Sequence, residues 1–352
     1  MTHSLAIVGA GAAGCGVAYA LRETSIDVTV FEKSRGVGGR AATRRRNGCY
    51  YDHGANYIKP TDDRTETLLE SLGTDGLVDI AGPVWTHDAA GRINESDDQE
   101  AHKWSYATGI TQFAKRVLAE TDATVQKSTR ITRLEWENDG DARGWQLVDE
   151  ADAGVGRFDA VALTAPAPQT ADIVRRTHWV DERRRALAAT IDAVPYRTIR
   201  SVMLHYPFEL DRPYYALVNP DRNHPIGWLS REECKTGHVP AGESLLVVQM
   251  SPEWSTEHYD HPEEQAGRVV ANMVATLLDD DRLAEPDWVD TQGWRYALPD
   301  ASVADGDDEG VVQQVADAGL YFAGDWVVGE GRVHVAFWNG VSVGQRIGES
   351  LE

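Results

Sequence analysis

Lysine, cysteine and long apolar runs are all scarce in this chain. There are six lysines (Lys33, Lys59, Lys103, Lys115, Lys127 and Lys235), so arginine supplies most of the 34 basic residues; 56 acidic residues leave a formal net charge of -22. That balance speaks against nucleic acid or an anionic membrane as a partner. The three cysteines, Cys15, Cys49 and Cys234, are odd in number and lack CxxC spacing. Neither a disulfide framework nor a cysteine zinc cluster is indicated, and a reducing compartment fits. His258 and His261 are three apart, but Pro262 follows and no third ligand is near in sequence, so no metal site is expected. No segment approaches 18 consecutive apolar residues and no basic leader precedes LAIV at Leu5–Val8. The expectation is a cytoplasmic protein without a membrane span. No GxSxG elbow occurs, which leaves hydrolase chemistry unsupported.

What is present is a chain of 352 residues with 42% apolar content, long enough for two domains or one large one. Leu5–Val8 is a short apolar run, residues 11–22 carry a helical pattern, and Val28–Phe31 is a second apolar run. Strand, glycine turn, helix and strand make a βαβ unit, which predicts a parallel sheet. Residues 109–120 read as an amphipathic helix, and TRITRLEWE with GWQLVDE alternate like hairpin strands. RFDAVALTAPAPQ, residues 157–169, reads as one apolar strand closed by prolines. RTIRSVMLHY, SLLVVQM and the helix EEQAGRVVANMVATLL mark a mixed second domain. GLYFAGDW is then a strand, and residues 333–347 a helix, returning to the first domain's sheet. The acidic stretch ADGDDEG, residues 304–310, reads as a solvated turn. The predicted class is α/β: a Rossmann-like dinucleotide-binding domain with a parallel sheet and a β insertion (residues 1–60, 101–172 and 291–352), plus a mixed α+β substrate domain (61–100 and 173–290).

Gly9, Gly11 and Gly14 form GxGxxG between the first strand and helix, with Ala13 among them. Gly9 suits the tight turn, Gly11 leaves room for a pyrophosphate against the backbone, and Gly14 lets helix and strand pack closely. The helix N-terminus offers free N–H groups to an anion. Glu32 ends the second strand about 20 residues on, where an acid bonds ribose hydroxyls. A second cluster follows in EKSRGVGGRAATRR, with Lys33, Gly38, Gly39 and Arg40. RGVGGR resembles the second motif of the flavoprotein group that includes amine oxidases and phytoene desaturases. That resemblance implies FAD as cofactor. By the same comparison Gly324 and Asp325, with Arg332 and Val333 beyond, match the C-terminal motif, whose next helix N-terminus faces the flavin. Ile131 matches the residue whose backbone holds adenine, and the segment Asp52–His53–Gly54, continued by Ala55 and Asn56, matches one near the flavin. One arginine of Arg44–Arg46 could also face the pyrophosphate, with surface ion pairs as the alternative.

Together with YDHGANY, LTAPAPQ, WRYALP and YFAGDW, these motifs resemble the renalase family, from Ile7 to Ile347. The resemblance implies an FAD oxidase that takes hydride from 2- or 6-dihydro isomers of NAD(P)H, with O2 as acceptor and hydrogen peroxide as product. Such a reaction requires no strong general base, so no catalytic acid or base is assigned. Candidates to hold the substrate are Tyr57, Trp294, Arg295, Tyr296, His334 and Trp338: aromatic faces for a planar ring, and Arg295 for a phosphate or carboxamide. For the aromatics a core role is an equal reading. Gln292–Gly293 and Trp338–Asn339 depart from the family pattern and leave an amine or small ring open as substrate. A flavin amine oxidase or desaturase, and a flavin-bearing redox sensor without turnover, are the alternatives. The acidic, lysine-poor composition resembles that of proteins from salt-loving microbes.

Overall fold

The computed structural model describes residues 2–96, 101–139, 142–303 and 310–352. Most of ADGDDEG, residues 304–309, lies outside the described residues. Two compact units are present: Met1–Arg40, Phe113–Tyr196 and Leu298–Glu352 form one, and Ala41–Gln112 with Arg197–Ala297 the other. The sequence reading puts the exchanges at 60, 100, 172 and 290. In the structure the Thr43–Arg46 and Cys49–Asp52 hairpin goes with the second unit. The helices Ala167–Arg176 and Arg183–Asp192 go with the first, because Ala171, Val174, Leu187 and Ile191 fill its core beside Val161 and Leu163.

The first unit is α/β. Its five-stranded sheet has the order Leu320–Phe322, Ala160–Leu163, Ser4–Val8, Asp27–Glu32, Thr124–Lys127, all parallel. Leu5, Ala6 and Ile7 are fully buried, as a central parallel strand covered on both faces requires. The helix Ala12–Ala20 packs against Val333–Leu351 through small residues. A Cβ at Gly16 would lie 2.2 Å from the Phe337 carbonyl oxygen, and one at Gly340 2.1 Å from that of Ala13. These glycines let the two backbones approach. The β insertion has three antiparallel strands, Ile131–Asp139, Ala142–Asp149 and Gly154–Phe158, where the sequence predicts a hairpin. The run 157–169 is therefore not one strand. Arg157 and Phe158 complete the insertion, Ala160–Leu163 joins the parallel sheet, and the prolines open the Ala167–Arg176 helix, where a missing N–H costs nothing.

The second unit holds a seven-stranded sheet ordered Trp288–Pro299, Tyr196–Tyr206, Ser244–Met250, Ile226–Arg231, Ala216–Val218, Val84–His87, Ile93–Asn94. Strand alternation assigns its two faces. Leu204, Tyr206, Leu246 and Val248 pack with the Glu263–Leu278 helix residues Val270 and Val274. Met203, Leu245 and Val247 pack with Cys49 and Tyr51 of the hairpin. The hairpin and the loop after it thus lie over one face of the sheet. No helix among the described residues is long and apolar enough to cross a membrane.

Candidate functional site

In the first unit the glycines build a cradle of bare backbone. Gly9 has φ +112°, which an L side chain rarely adopts, and a Cβ at Gly14 would lie 2.0 Å from the Gly9 carbonyl oxygen. Gly11 differs: its φ is -79°, and a Cβ there would meet no atom within 4 Å. The space beside Gly11 is open. The Gly38 N–H donates to the Ala10 carbonyl at 2.8 Å, and Gly39, at φ +58°, comes within 3.3 Å of the Gly11 Cα at its Cβ position. The two glycine clusters are therefore one assembly. Helix Ala12–Ala20 has no side-chain cap at Gly11, so its first N–H groups remain available to an anion.

Around this cradle the charged groups are fixed. The Glu32 carboxylate accepts the N–H groups of Ala10 at 2.9 Å and Ser34 at 2.8 Å. Arg40 forks onto Asp325 with bonds of 2.7 and 2.8 Å, and Asp325 is buried. Tyr196 joins this pair through Arg40; burial and the Asp325 charge push its hydroxyl well above the usual tyrosine range. Asn339 accepts the Gly324 N–H at 2.9 Å. Ile131 is buried just after Thr129, whose N–H donates to the Glu32 carbonyl. Lys33 bonds Gln169. Gly324–Asp325 is followed by a one-turn helix, Asp325–Val328, and the long helix begins only at Val333 after the Arg332 cap. The sequence reading placed this helix at residues 333–347, and the structure starts it at Val333, after the turn Gly329–Arg332.

In the second unit the strand Trp288–Pro299 aims alternate residues at the hairpin. Arg44 donates to both Asp290 carboxylate oxygens at 2.8 Å and to Gln292 Oε1 at 2.5 Å, and Tyr51 donates to Asp290 at 2.7 Å. Trp294 Nε1 donates to the His53 carbonyl at 2.8 Å, and its ring stacks on the imidazole, 5.4 Å between centroids at 9°. Burial, reinforced by Arg44, pushes His53 down to about 4, so the ring is neutral at pH 7. Gln249 holds the Gly54 carbonyl at 2.6 Å, and Ser230 donates to Asn56. Tyr57 packs with Tyr215 and Trp228 at 6.3 and 6.1 Å.

Beneath this loop is a fully buried ionic group. Lys235 reaches Asp52 at 2.9 Å and Glu232 at 2.8 Å, and His238 meets Glu232 at 2.9 Å. Asp52 also accepts from Thr43 at 2.7 Å, Ser105 at 3.0 Å and the Ile110 N–H at 2.9 Å. Burial opposes both charges, yet the partners win: Lys235 titrates above the usual lysine range and Asp52 below the usual carboxylate range. This group anchors the strand that leads into His53.

Of the sequence candidates for substrate, Trp294 and Tyr296 share one side of their strand. Arg295 points the other way, over the Tyr259 ring at 4.6 Å, and is exposed. Its grouping with Trp294 and Tyr296 is corrected by strand alternation. His334, which is buried, and Trp338 belong to the first unit's C-terminal helix. Arg44 takes the ion-pair alternative, with Asp290, and also bonds Gln292, whereas Arg46 lies over Trp288 and donates to the Val289 carbonyl. Sequence reasoning missed Tyr196, Lys235, Gln249, Asp290 and Asn339. The two-residue period from Trp288 through Asp290 and Gln292 to Trp294 is the signal that could have found Asp290.

Residues 7–72 match the NAD(P)-binding Rossmann-like domain, and residues 76–348 match the flavin containing amine oxidoreductase family. The chain belongs to that family. Its cofactor is FAD. Protoporphyrinogen oxidase 2 of Arabidopsis thaliana is 39% identical over 69 residues, 20% of this chain and 14% of that protein. The matched stretch is about a seventh of that relative's length. In fold, this flavoprotein is similar to a candidate protoporphyrinogen oxidase from Exiguobacterium sp. 255-15 (TM-score 0.77, 16% identity, 100% of this chain and 99% of that one). It is also similar to cyclohexylamine oxidase from Brevibacterium oxydans IH-35A (TM-score 0.71, 16% identity, 100% of both chains).

Proposed function

We propose that this flavoprotein is an oxidase acting on a reduced nicotinamide isomer, a 2- or 6-dihydro form of NAD(P). The observation that carries this reading is the His53–Trp294 stack. It offers flat, uncharged aromatic surface, and a histidine pushed down to about 4 is too weak a base to draw a proton from a substrate at pH 7. A dihydropyridine becomes aromatic on losing hydride, so positioning suffices. When bound, FAD would supply the hydride acceptor, with O2 proposed as the final electron acceptor and hydrogen peroxide as product.

The residues present fit that cofactor. The open backbone at Gly11 and the uncapped helix start, with Gly9, Ala13 and Gly14, suit a pyrophosphate, and Glu32 suits a ribose. Gly38, Gly39, Lys33 and Arg40, then Ile131, Gly324, Asp325, Arg332 and Val333, are proposed to complete the first unit's cofactor site; Gly54, Ala55 and Asn56 of the second unit are cofactor candidates on the sequence resemblance alone. In the second unit Tyr57, Trp294 and Tyr296 are proposed to orient the substrate; His334 and Trp338, in the first unit, are separate candidates from the sequence. Arg295 is held in reserve for a distal phosphate.

A second reading, oxidation of an amine, is favoured by the Tyr57, Tyr215 and Trp228 cluster, because aromatic faces attract an ammonium group. The family description and the amine oxidases of similar fold support it equally. Anaerobic stopped-flow absorbance separates the two. Bleaching of the flavin by a partly isomerised NADH preparation, and not by pure NADH or amines, is the expected result. Bleaching by amines alone would replace the first reading with the second, and slow reduction by every donor would point to a sensor.

A further inference from the structure

We propose that Cys49, His205 and Glu243 form a transition-metal site in the second unit, suited to Zn2+ and separate from the flavin chemistry. Their donor atoms all lie within 4.8 Å of one another. The residues come from three places in sequence: the hairpin strand Cys49–Asp52, the end of the strand Tyr196–Tyr206, and the turn before Ser244–Met250. A thiol, an imidazole and a carboxylate are the donor types zinc takes. Bonds of about 2.0–2.3 Å set the donors of a tetrahedral ion roughly 3.5 Å apart, so the widest pair closes by about 1 Å and the 2.9 Å His205–Glu243 contact opens slightly. Glu243, whose side chain is 35% exposed, can swing off its 2.9 Å contact with His205 Nε2 to admit an ion, while Cys49 and His205 are buried.

The surroundings of His205 are those of a ligand. Its Nε2 faces Glu243 at 2.9 Å, and its Nδ1 lies 3.3 Å from an Asp287 carboxylate oxygen. Nδ1 is buried without a hydrogen-bond partner, so an ion entering between Nε2 and Glu243 would displace the Nε2 proton and leave Nδ1 to carry the ring proton beside Asp287. The Asp287 N–H donates to the His205 carbonyl at 2.8 Å, and the Trp288 ring stacks on the imidazole at 4.9 Å and 8°, which holds its plane.

A second trio, Asp52, Glu232 and His238, has similar spacing but already contains a cation, the Lys235 ammonium. No lysine or arginine is hydrogen-bonded to Cys49, His205 or Glu243 among the described residues. The ion would occupy that position, with water as a fourth ligand, and the Cys49 thiol would release its proton to solvent as the sulfur–metal bond forms. Bound there, it ties the hairpin to the sheet.

The test uses the full-length, flavin-loaded protein without a histidine tag, stripped with a chelator and then titrated with Zn2+ or Co2+. One retained metal per chain after desalting is expected, with Co2+ giving thiolate charge-transfer and d–d absorbance to the red of the oxidised flavin bands. Cys49→Ser should abolish the charge-transfer band, and Glu243→Gln should weaken retention at least tenfold; unchanged flavin content verifies folding of each variant. Metal retained equally by Cys49→Ser, or no retained metal in the native chain, would overturn the proposal.

Discussion

At the ends of the parallel strands in the first unit, the gathered groups are mostly backbone: glycines 9, 11, 14, 38 and 39 and the uncapped start of one helix. Over the sheet of the second unit, the gathered groups are side chains. Asp52, Ser105, Glu232, Lys235 and His238 come from separate stretches of chain and meet in a buried ionic group. One unit shapes space by omitting side chains. The other fixes a loop by satisfying charges that burial would otherwise penalise.

The sharpest way to break this contrast is to unbalance the buried charges. Lys235→Met leaves Asp52 and Glu232 without their cation, and stability measured by urea unfolding should fall by about 3–5 kcal/mol. A loss under 1 kcal/mol would mean the group is solvated rather than closed.

Next in size is the response to acid. His53 and His87 are both buried, and burial pushes each down to about 4 in the folded chain, against about 6.5 when unfolded. Below pH 6.5 the unfolded chain binds protons that the folded chain refuses, so stability falls as pH drops from 6.5 to 4, by about 3 kcal/mol per histidine. Urea midpoints at pH 7.0 and 5.0 read this, and a flat profile would contradict the burial of these rings.

A smaller effect belongs to the first unit. Asn339→Ala removes the acceptor for the Gly324 N–H and should cost about 1 kcal/mol, together with weaker flavin retention. Loss of stability with flavin binding intact would assign Asn339 to packing alone.

This contrast also explains what was legible in the sequence. Backbone-built sites rest on glycines at fixed local spacing, so GxGxxG, Glu32 and RGVGGR could be read directly, and the parallel order of the first two strands followed from them. Side-chain networks depend on register between distant segments. Lys235 looks like any surface lysine until the fold brings Asp52 to 2.9 Å. Arg295 reads as a neighbour of Trp294 until strand alternation turns it toward Tyr259. The two departures in the family pattern acquire local reasons: Gln292 accepts from Arg44, and Asn339 holds Gly324.

The most direct test of the backbone-built cradle is the flavin content of Gly11→Ala beside its thermal melt. At Gly11 the backbone is already extended and the added methyl meets nothing, so the melt of flavin-free protein should stay within about 1 °C of the native value. Flavin retention should nonetheless fall by an order of magnitude or more, because the methyl fills the space proposed for the pyrophosphate. Full flavin content in a normally folded Gly11→Ala variant would contradict the placement of the cofactor on this glycine.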